Sequence, residues 1–420
     1  MRASLAWLRL GGVALAGVAV VACSTSTAAT GASATPRRSA PAAQPSSPAS
    51  AGAGVASGDT GSAGSGPTPA QAELSRAAAQ AAALSPRQLA GQRVIYSYSG
   101  PTPPPALLSA IRHGEAAGVI FFSNNITSHV QIAGVIRRLE QADAAATNPV
   151  RSPLLLMTDQ EGGLVRRLPG APTLSEQQIG VAAHPAIQAS FAGKTAAANL
   201  RSVGMNVNLA PVLDVYRAPG DFDDQFQRSY SMNPHRASYL GADFIKAQQR
   251  GGVAATAKHF PGLGAATAKQ DTDLRPVTLH VSRANLRSID EQPYTAAIKA
   301  KVKLVMVSWA VYPSLGSTRP AGLSSNIVQG ELRRRLGFTG VTITDALEAG
   351  ALKPYGSFQH RALLAAQAGM DLLLCSDQTV GEGRQCLDGL LSGYSDGSLP
   401  QAAFQAADAR VLALRAGLPR

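Results

Sequence analysis

The sequence predicts a (β/α)8 TIM barrel, a single catalytic domain preceded by an export signal and an unstructured tether. Three observations carry that reading. Eight short β-rich apolar runs alternate with segments of helical periodicity. Several of those runs are continuously apolar rather than alternating, which is the pattern of parallel strands buried on both faces. The residues that end the runs are rich in acids and bases, and chemistry in such barrels gathers at the C-terminal ends of the strands.

The runs are, in order, "RVIYSYS" from Arg93, "GVIFFS" from Gly118, "PLLLMT" from Pro153, "MNVNLA" from Met205, "VAATAK" from Val253, "KLVMVS" from Lys303, "GVTITD" from Gly340 and "MDLLLC" from Met370. Between the fourth and fifth, "ASYLGADFIKAQQRGG" places Leu240, Phe244 and Ile245 on one helical face and stops at Gly251-Gly252. "AAIKAKV" and "IVQGELRRRLGFTG" behave likewise. An open doubly wound sheet is the alternative. It needs a glycine-rich phosphate turn after its first strand, and "YSYSGPTPPP" is not one.

Ahead of the barrel, residues 1–23 read as a lipoprotein signal peptide. Arg2 and Arg9 supply the positive start, and Leu10 to Ala22 is apolar but too short to span a bilayer with ease. The run ends "VVAC", which resembles the bacterial lipobox, and that resemblance implies lipidation of Cys23. An ordinary cleaved secretory signal with an incidental cysteine is the alternative. Residues 24–83 are Ser, Thr, Ala, Gly and Pro with almost no large apolar side chains. Such a stretch cannot bury enough surface to offset the entropy of ordering, so it is predicted to be a flexible linker. Residues 84–420 remain for the barrel. The chain is therefore expected to be exported and lipid-anchored to the outer face of the cell membrane.

The formal net charge is +12. On an exported, tethered protein this fits an anionic envelope polymer or lipid surface better than a nucleic acid, which is not predicted as a partner. Cys375 and Cys386 lie close in sequence; they are read either as a disulfide or as a buried thiol ending "MDLLLC" with a neighbour. No HExxH, Walker loop or Cys/His cluster occurs, so neither metal nor nucleotide cofactor is predicted.

The strand ends carry the candidate chemistry. The third run leads into "TDQEGGLVRRLPG", with Asp159, Arg166 and Arg167. The fourth leads into "APVLDVYRAPGDFDDQFQRSYS", with Asp214 and Arg228. The fifth ends at Lys258-His259 and continues through a Pro-Gly turn to Asp271 and Asp273; the seventh ends at Asp345. Each has a bland alternative: Asp345 as a helix N-cap, the arginines as surface charge, Asp214 as a loop fastener, His259 as a core imidazole. Collected on one barrel rim, they suit a neutral, hydroxyl-rich ligand. Charged groups take paired hydrogen bonds from vicinal hydroxyls, and a further carboxylate can attack an anomeric carbon.

"KHFPGLG", "TDQEGGLVRRL", "NLAPVLDV", "QRSYS" and "GFTGVTITDALEAGAL" together resemble the glycoside hydrolase family 3 barrel, over roughly Ser85 to Gly417. The likeness is greatest to the single-domain β-N-acetylhexosaminidases that act on cell-wall fragments. It implies a carbohydrate substrate, a β-linked amino sugar glycan. It also implies Asp345 as nucleophile and Asp159, Arg167, Arg228, Lys258 and His259 as the residues that hold the sugar in the −1 subsite. A retaining mechanism through a covalent glycosyl-Asp345 intermediate follows.

One part of the family pattern is missing. The hexosaminidases carry Asp-x-His after the fifth strand, the histidine being the general acid/base. Here the loop is longer and reads Asp271-Thr272-Asp273, and His280, seven residues past Asp273, is not expected to reach. Trp309 also stands where relatives often carry histidine. Three readings follow. Asp273 or Asp271 protonates the leaving group, its pKa raised by burial or by its neighbour. Or the acid is dispensable for good leaving groups. Or the barrel is a sugar-binding module without turnover. The intact Asp345 and sugar-holding set favour an enzyme, with β-glucosidase and phosphorylase activities as alternatives to the hexosaminidase.

Overall fold

The computed structural model describes residues 68–145 and 147–419. The expected signal peptide with Cys23, and the linker as far as residue 67, lie outside the described residues. The rest of the predicted linker is corrected, because Pro69–Ala82 is a helix, α1. Thr68 and Gln71 form a reciprocal capping box at its start, and Pro69 occupies the first turn. Alanine offers little core volume, but it is the strongest helix former and lets helices approach closely. Ala77 and Ala81 are buried, and α1 lies along the C-terminal helix Gln401–Ala416. The domain thus begins about fifteen residues earlier than the composition suggests.

All eight predicted runs form strands: β1 (Val94–Tyr96), β2 (Gly118–Ile120), β3 (Leu155–Thr158), β4 (Val207–Asn208), β5 (Ala254–Phe260), β6 (Leu304–Val307), β7 (Val341–Ala346) and β8 (Leu372–Leu374). They pair in parallel and in sequence, and β8 returns to β1 through Val94↔Leu373 and Ile95↔Leu374 to close the barrel. Ile95, Ile120, Leu155, Met157, Leu304, Met306, Leu372 and Leu374 belong to one apolar cluster drawn from around the barrel. Their alternates Val94, Val119, Leu156, Val305 and Leu373 pack instead with helix residues such as Leu107, Leu139 and Leu390. In β1, β2, β6 and β8 both faces are therefore apolar, which is why those runs do not alternate in polarity.

The helix predicted from "ASYLGADFIKAQQRGG" is present at Pro234–Arg250, with Leu240, Phe244 and Ile245 buried and Asn233 capping its start. Connections at the C-terminal ends of the strands are longer and carry the rim. After β3 comes a small hairpin, Gln160–Gly162 against Val165–Arg166. Cys375 follows β8, Cys386 lies in the helix Val380–Ser395, and both are fully buried free thiols.

Candidate active site

β5 delivers the centre of the site. All seven of its residues are buried, and its last turn of chain presents Lys258 and His259 to different partners. The Lys258 Nζ lies 2.8 Å from Asp159 Oδ1 and 2.7 Å from Glu161 Oε1. Asp159 directly follows β3 and Glu161 belongs to the hairpin, so the ammonium ties β5 to the end of β3. Arg167 directly follows the hairpin's second strand: its N–H donates to the Asp159 carbonyl at 3.2 Å, and its Nε stands 4.0 Å from Asp159 Oδ2.

Arg228 closes the other side. It donates to both oxygens of Glu161 at 3.0 Å and to Asp223 Oδ1 at 3.0 Å. Burial alone would raise the Glu161 pKa, but Arg228 and Lys258 beside it hold the carboxyl at about 2. Lys258 is likewise buried, yet Asp159 and Glu161 keep its pKa above the ordinary lysine value. Buried cations and carboxylates here match one another, which is the condition under which such charges can be tolerated.

His259 is fixed from behind. Its Nδ1 lies 2.7 Å from Asp214 Oδ2, and its Nε2 lies 3.4 Å from the Arg228 guanidinium. Arginine only donates, so Nε2 accepts and the proton sits on Nδ1, donated to Asp214. Burial, then Arg228, lowers the imidazole pKa to about 4, so it is neutral at pH 7. Asp214 also accepts the N–H of Leu263 at 2.6 Å, fastening the turn after β5. Burial and the adjacent Asp214 push Asp223 up to about 7.

Asp214, Asp223 and His259 each offer a ligand atom within 4.8 Å of the others, a spacing a cation could use. The Arg228 guanidinium already supplies positive charge to Asp223 and His259, and Asp214 accepts two backbone N–H groups.

A second group of acids faces this network from β7 and the loop after β5. Asp345 is half-buried at the end of β7, and its Oδ1 accepts the N–H of Ala346 at 2.8 Å. The loop is docked there through its backbone: Gly350 N–H donates to the Asp273 carbonyl at 2.7 Å and Ala351 N–H to that of Thr272 at 2.9 Å. Asp271 Oδ1 accepts the Asp273 N–H at 2.8 Å, so Asp271 shapes the turn. Burial, then the charges of Asp345 and Asp271, raise the Asp273 pKa well above the usual carboxylate range. Asp345 in turn favours the charged form of His259, and Arg228 that of Asp273, so the two groups share one field.

Two neighbours complete the rim. Trp309 is fully buried and its Nε1 donates to the Ala346 carbonyl at 2.8 Å, supporting the residue after Asp345. Glu348 accepts from Ser376 Oγ at 2.9 and 3.0 Å, and burial raises its pKa to about 7. His280 is exposed, and the adjacent Leu279 is hydrogen-bonded to Val311.

The structure therefore brings Asp159, Arg167, Arg228, Lys258 and His259 into one network, and Asp271, Asp273 and Asp345 into a second. Glu161, Asp223 and Glu348 are site residues that the sequence reading did not single out. Glu161 had a signal available, since it lies two residues past Asp159 at the same strand end.

Residues 100–414 match the glycosyl hydrolase family 3 N-terminal domain. The chain belongs to glycosyl hydrolase family 3. An uncharacterized secreted glycosyl hydrolase of Arthroderma benhamiae is 44% identical over 348 residues, covering 83% of this chain and 98% of that protein. A β-hexosaminidase of Thioalkalivibrio sulfidiphilus is 33% identical over 273 residues, covering 63% of this chain and 74% of that protein. Among solved structures, a family 3 β-N-acetylglucosaminidase from a Paenibacillus species superposes with a TM-score of 0.75 at 33% identity, over 80% of this chain and 63% of that one. The β-N-acetylhexosaminidase of Beutenbergia cavernae does so with a TM-score of 0.71 at 30% identity, over 79% and 98%. The chain thus spans under two-thirds of the Paenibacillus enzyme but nearly all of the Beutenbergia one. This family 3 protein is a glycoside hydrolase, and its barrel rim is where its acids and bases converge.

Proposed function

We propose that this family 3 hydrolase is an exported, retaining, exo-acting β-N-acetylglucosaminidase on cell-wall-derived glycans. The observation that carries the reading is the docking of Thr272 and Asp273 onto Gly350 and Ala351, which sets a high-pKa carboxyl beside the Asp345 carboxylate. The amino-sugar preference is supported by the hexosaminidase relatives at 33% and 30% identity.

In this mechanism Asp159 accepts hydrogen bonds from vicinal hydroxyls of the sugar, while Lys258 and Arg167 hold its charge and donate. Arg228 and neutral His259 complete the set that holds the sugar, with Arg228 also fixing Glu161. Asp345 attacks the anomeric carbon with the oxygen that Ala346 does not hold. Asp273, carrying its proton, gives it to the departing glycosidic oxygen. Asp273 then takes a proton from water as the water oxygen attacks the anomeric carbon and the ester bond breaks, which restores protonated Asp273 and the Asp345 carboxylate.

The test is turnover of chromogenic β-N-acetylglucosaminide and β-glucoside by the purified protein, with and without phosphate. Faster release from the N-acetylated substrate, independent of phosphate, is expected. Preference for the glucoside, or a requirement for phosphate, replaces the proposal by a glucosidase or a phosphorylase. Sugar binding without turnover replaces it by the binding module. Anchoring rests on "VVAC" before a long polar stretch. Labelled fatty acid should enter the wild type and not Cys23→Ser, and equal release of both proteins into the medium argues for plain secretion.

A further inference from the structure

β8 and the helix after it carry two thiols that the reaction does not use. Cys375 follows β8, and its N–H donates to the Ile95 carbonyl of β1 at 3.0 Å, which sets it beside Tyr96. The helix Val380–Ser395 lies on the same ring: a Cβ at Gly383 would come within 2.3 Å of Tyr96. Cys386 is one turn further along that helix, fully buried in the same apolar cluster as Cys375. Both thiols thus lie near Tyr96, and each acts on its ionisation. The Cys375 and Cys386 thiols make long contacts to the carbonyls of Leu373 and Phe358, at 3.9 and 4.0 Å.

We propose that Cys375 and Cys386 close into a disulfide that staples the end of β8 to the following helix in the exported protein. The proposal rests on the export reading, since an oxidising compartment is where such a bond persists. The oxidant is a disulfide, either of a thiol oxidase or of glutathione. One cysteine thiolate attacks it to form a mixed disulfide, and the second thiolate displaces the remaining thiol. The electron pair and both S–H protons leave with the reagent, which departs as two thiols. Burial raises the Cys375 pKa, so exchange takes place during folding, before helix Val380–Ser395 covers the strand.

The bond has a consequence at the rim. The segment it closes, 376–385, carries Ser376, which donates to Glu348, and Gln378, whose N–H donates to Ser97 Oγ at 2.9 Å. Closing that loop removes freedom mainly from the unfolded chain and pins Ser376 against the β7 end.

The experiment is peptide mapping of the full chain without reductant, in two arms: protein recovered from an exporting host, and chain reduced, denatured and refolded in a glutathione–glutathione disulfide buffer. A linked pair of peptides containing Cys375 and Cys386, lighter by two hydrogens than the separate thiol peptides, is expected in both. Reducing that protein should lower Tm by about 5 °C. A bridge in the refolded arm alone shows that the pair can close but overturns the proposal for the exported protein. Complete alkylation of both cysteines in both arms overturns the proposal.

Discussion

Gly350 donates its N–H to the Asp273 carbonyl at 2.7 Å, so the acid loop after β5 rests on the segment that follows Asp345. The loop's length, which separates this chain from the Asp-x-His pattern, has a destination in this contact. It also puts the position of Asp273 under the control of a residue that bears no side chain.

A Cβ added at Gly350 would lie 2.2 Å from the backbone carbon and oxygen of Leu274. Gly350→Ala should therefore push the loop off without touching a titratable group. We expect at least a tenfold loss in kcat/KM on a natural disaccharide, about 1.4 kcal/mol, with trapping of the glycosyl-enzyme by a 2-fluoro sugar retained. Unchanged disaccharide hydrolysis would show that the docking is not needed.

Asp345 should be the residue that trapping labels. A 2-fluoro glycoside is expected to mark a peptide containing Asp345, and Asp345→Asn should lose at least a thousandfold in kcat, about 4 kcal/mol, while still binding sugar. Activity within tenfold of wild type would falsify covalent catalysis by this carboxylate.

Much of this is legible in the sequence. The eight short runs all form strands: their length, their β-branched residues and their regular alternation with helical segments mark them, and several are continuously apolar because both faces are buried. The rim residues were legible as types at strand ends. Their pairings were not: Lys258 meets Asp159 across 99 residues and Arg228 meets Glu161 across 67, distances bridged only when β5 closes against its neighbours. Helix α1 was lost for the opposite reason. Its alanines look like linker composition, and only the partner helix at the far end of the chain makes them core.

The Glu161 pairing sets an acid-side stability slope. Its folded pKa, about 2, lies below the unfolded value near 4.3, so the unfolded state binds more protons between them. The stabilisation is present above pH ~4.3 and fades as pH falls toward ~2. Glu161→Gln should cost about 3 kcal/mol at pH 7 in urea unfolding, with the gap from wild type narrowing over that acid window. A gap that is constant with pH would mean that Glu161 holds no depressed pKa.

The last prediction concerns the proton donor. Asp271 has its Oδ1 engaged by the Asp273 N–H, whereas Asp273 feels burial, Asp345 and Asp271 together and keeps its proton to higher pH. Help from an acid matters most when the leaving group is poor. Asp273→Ala should therefore slow hydrolysis of a natural disaccharide by at least a hundredfold, about 2.7 kcal/mol, while a nitrophenyl glycoside loses less than tenfold. Azide should rescue the nitrophenyl reaction as a glycosyl azide, because a small anion can attack the glycosyl ester without a base. Asp271→Ala should act more weakly, by loosening the turn and lowering the Asp273 pKa, which moves the basic limb of the kcat/KM profile to lower pH. If both variants hydrolyse the disaccharide at the wild-type rate, the donor is another group, and Glu348, held by Ser376 with a pKa of about 7, is the next to replace.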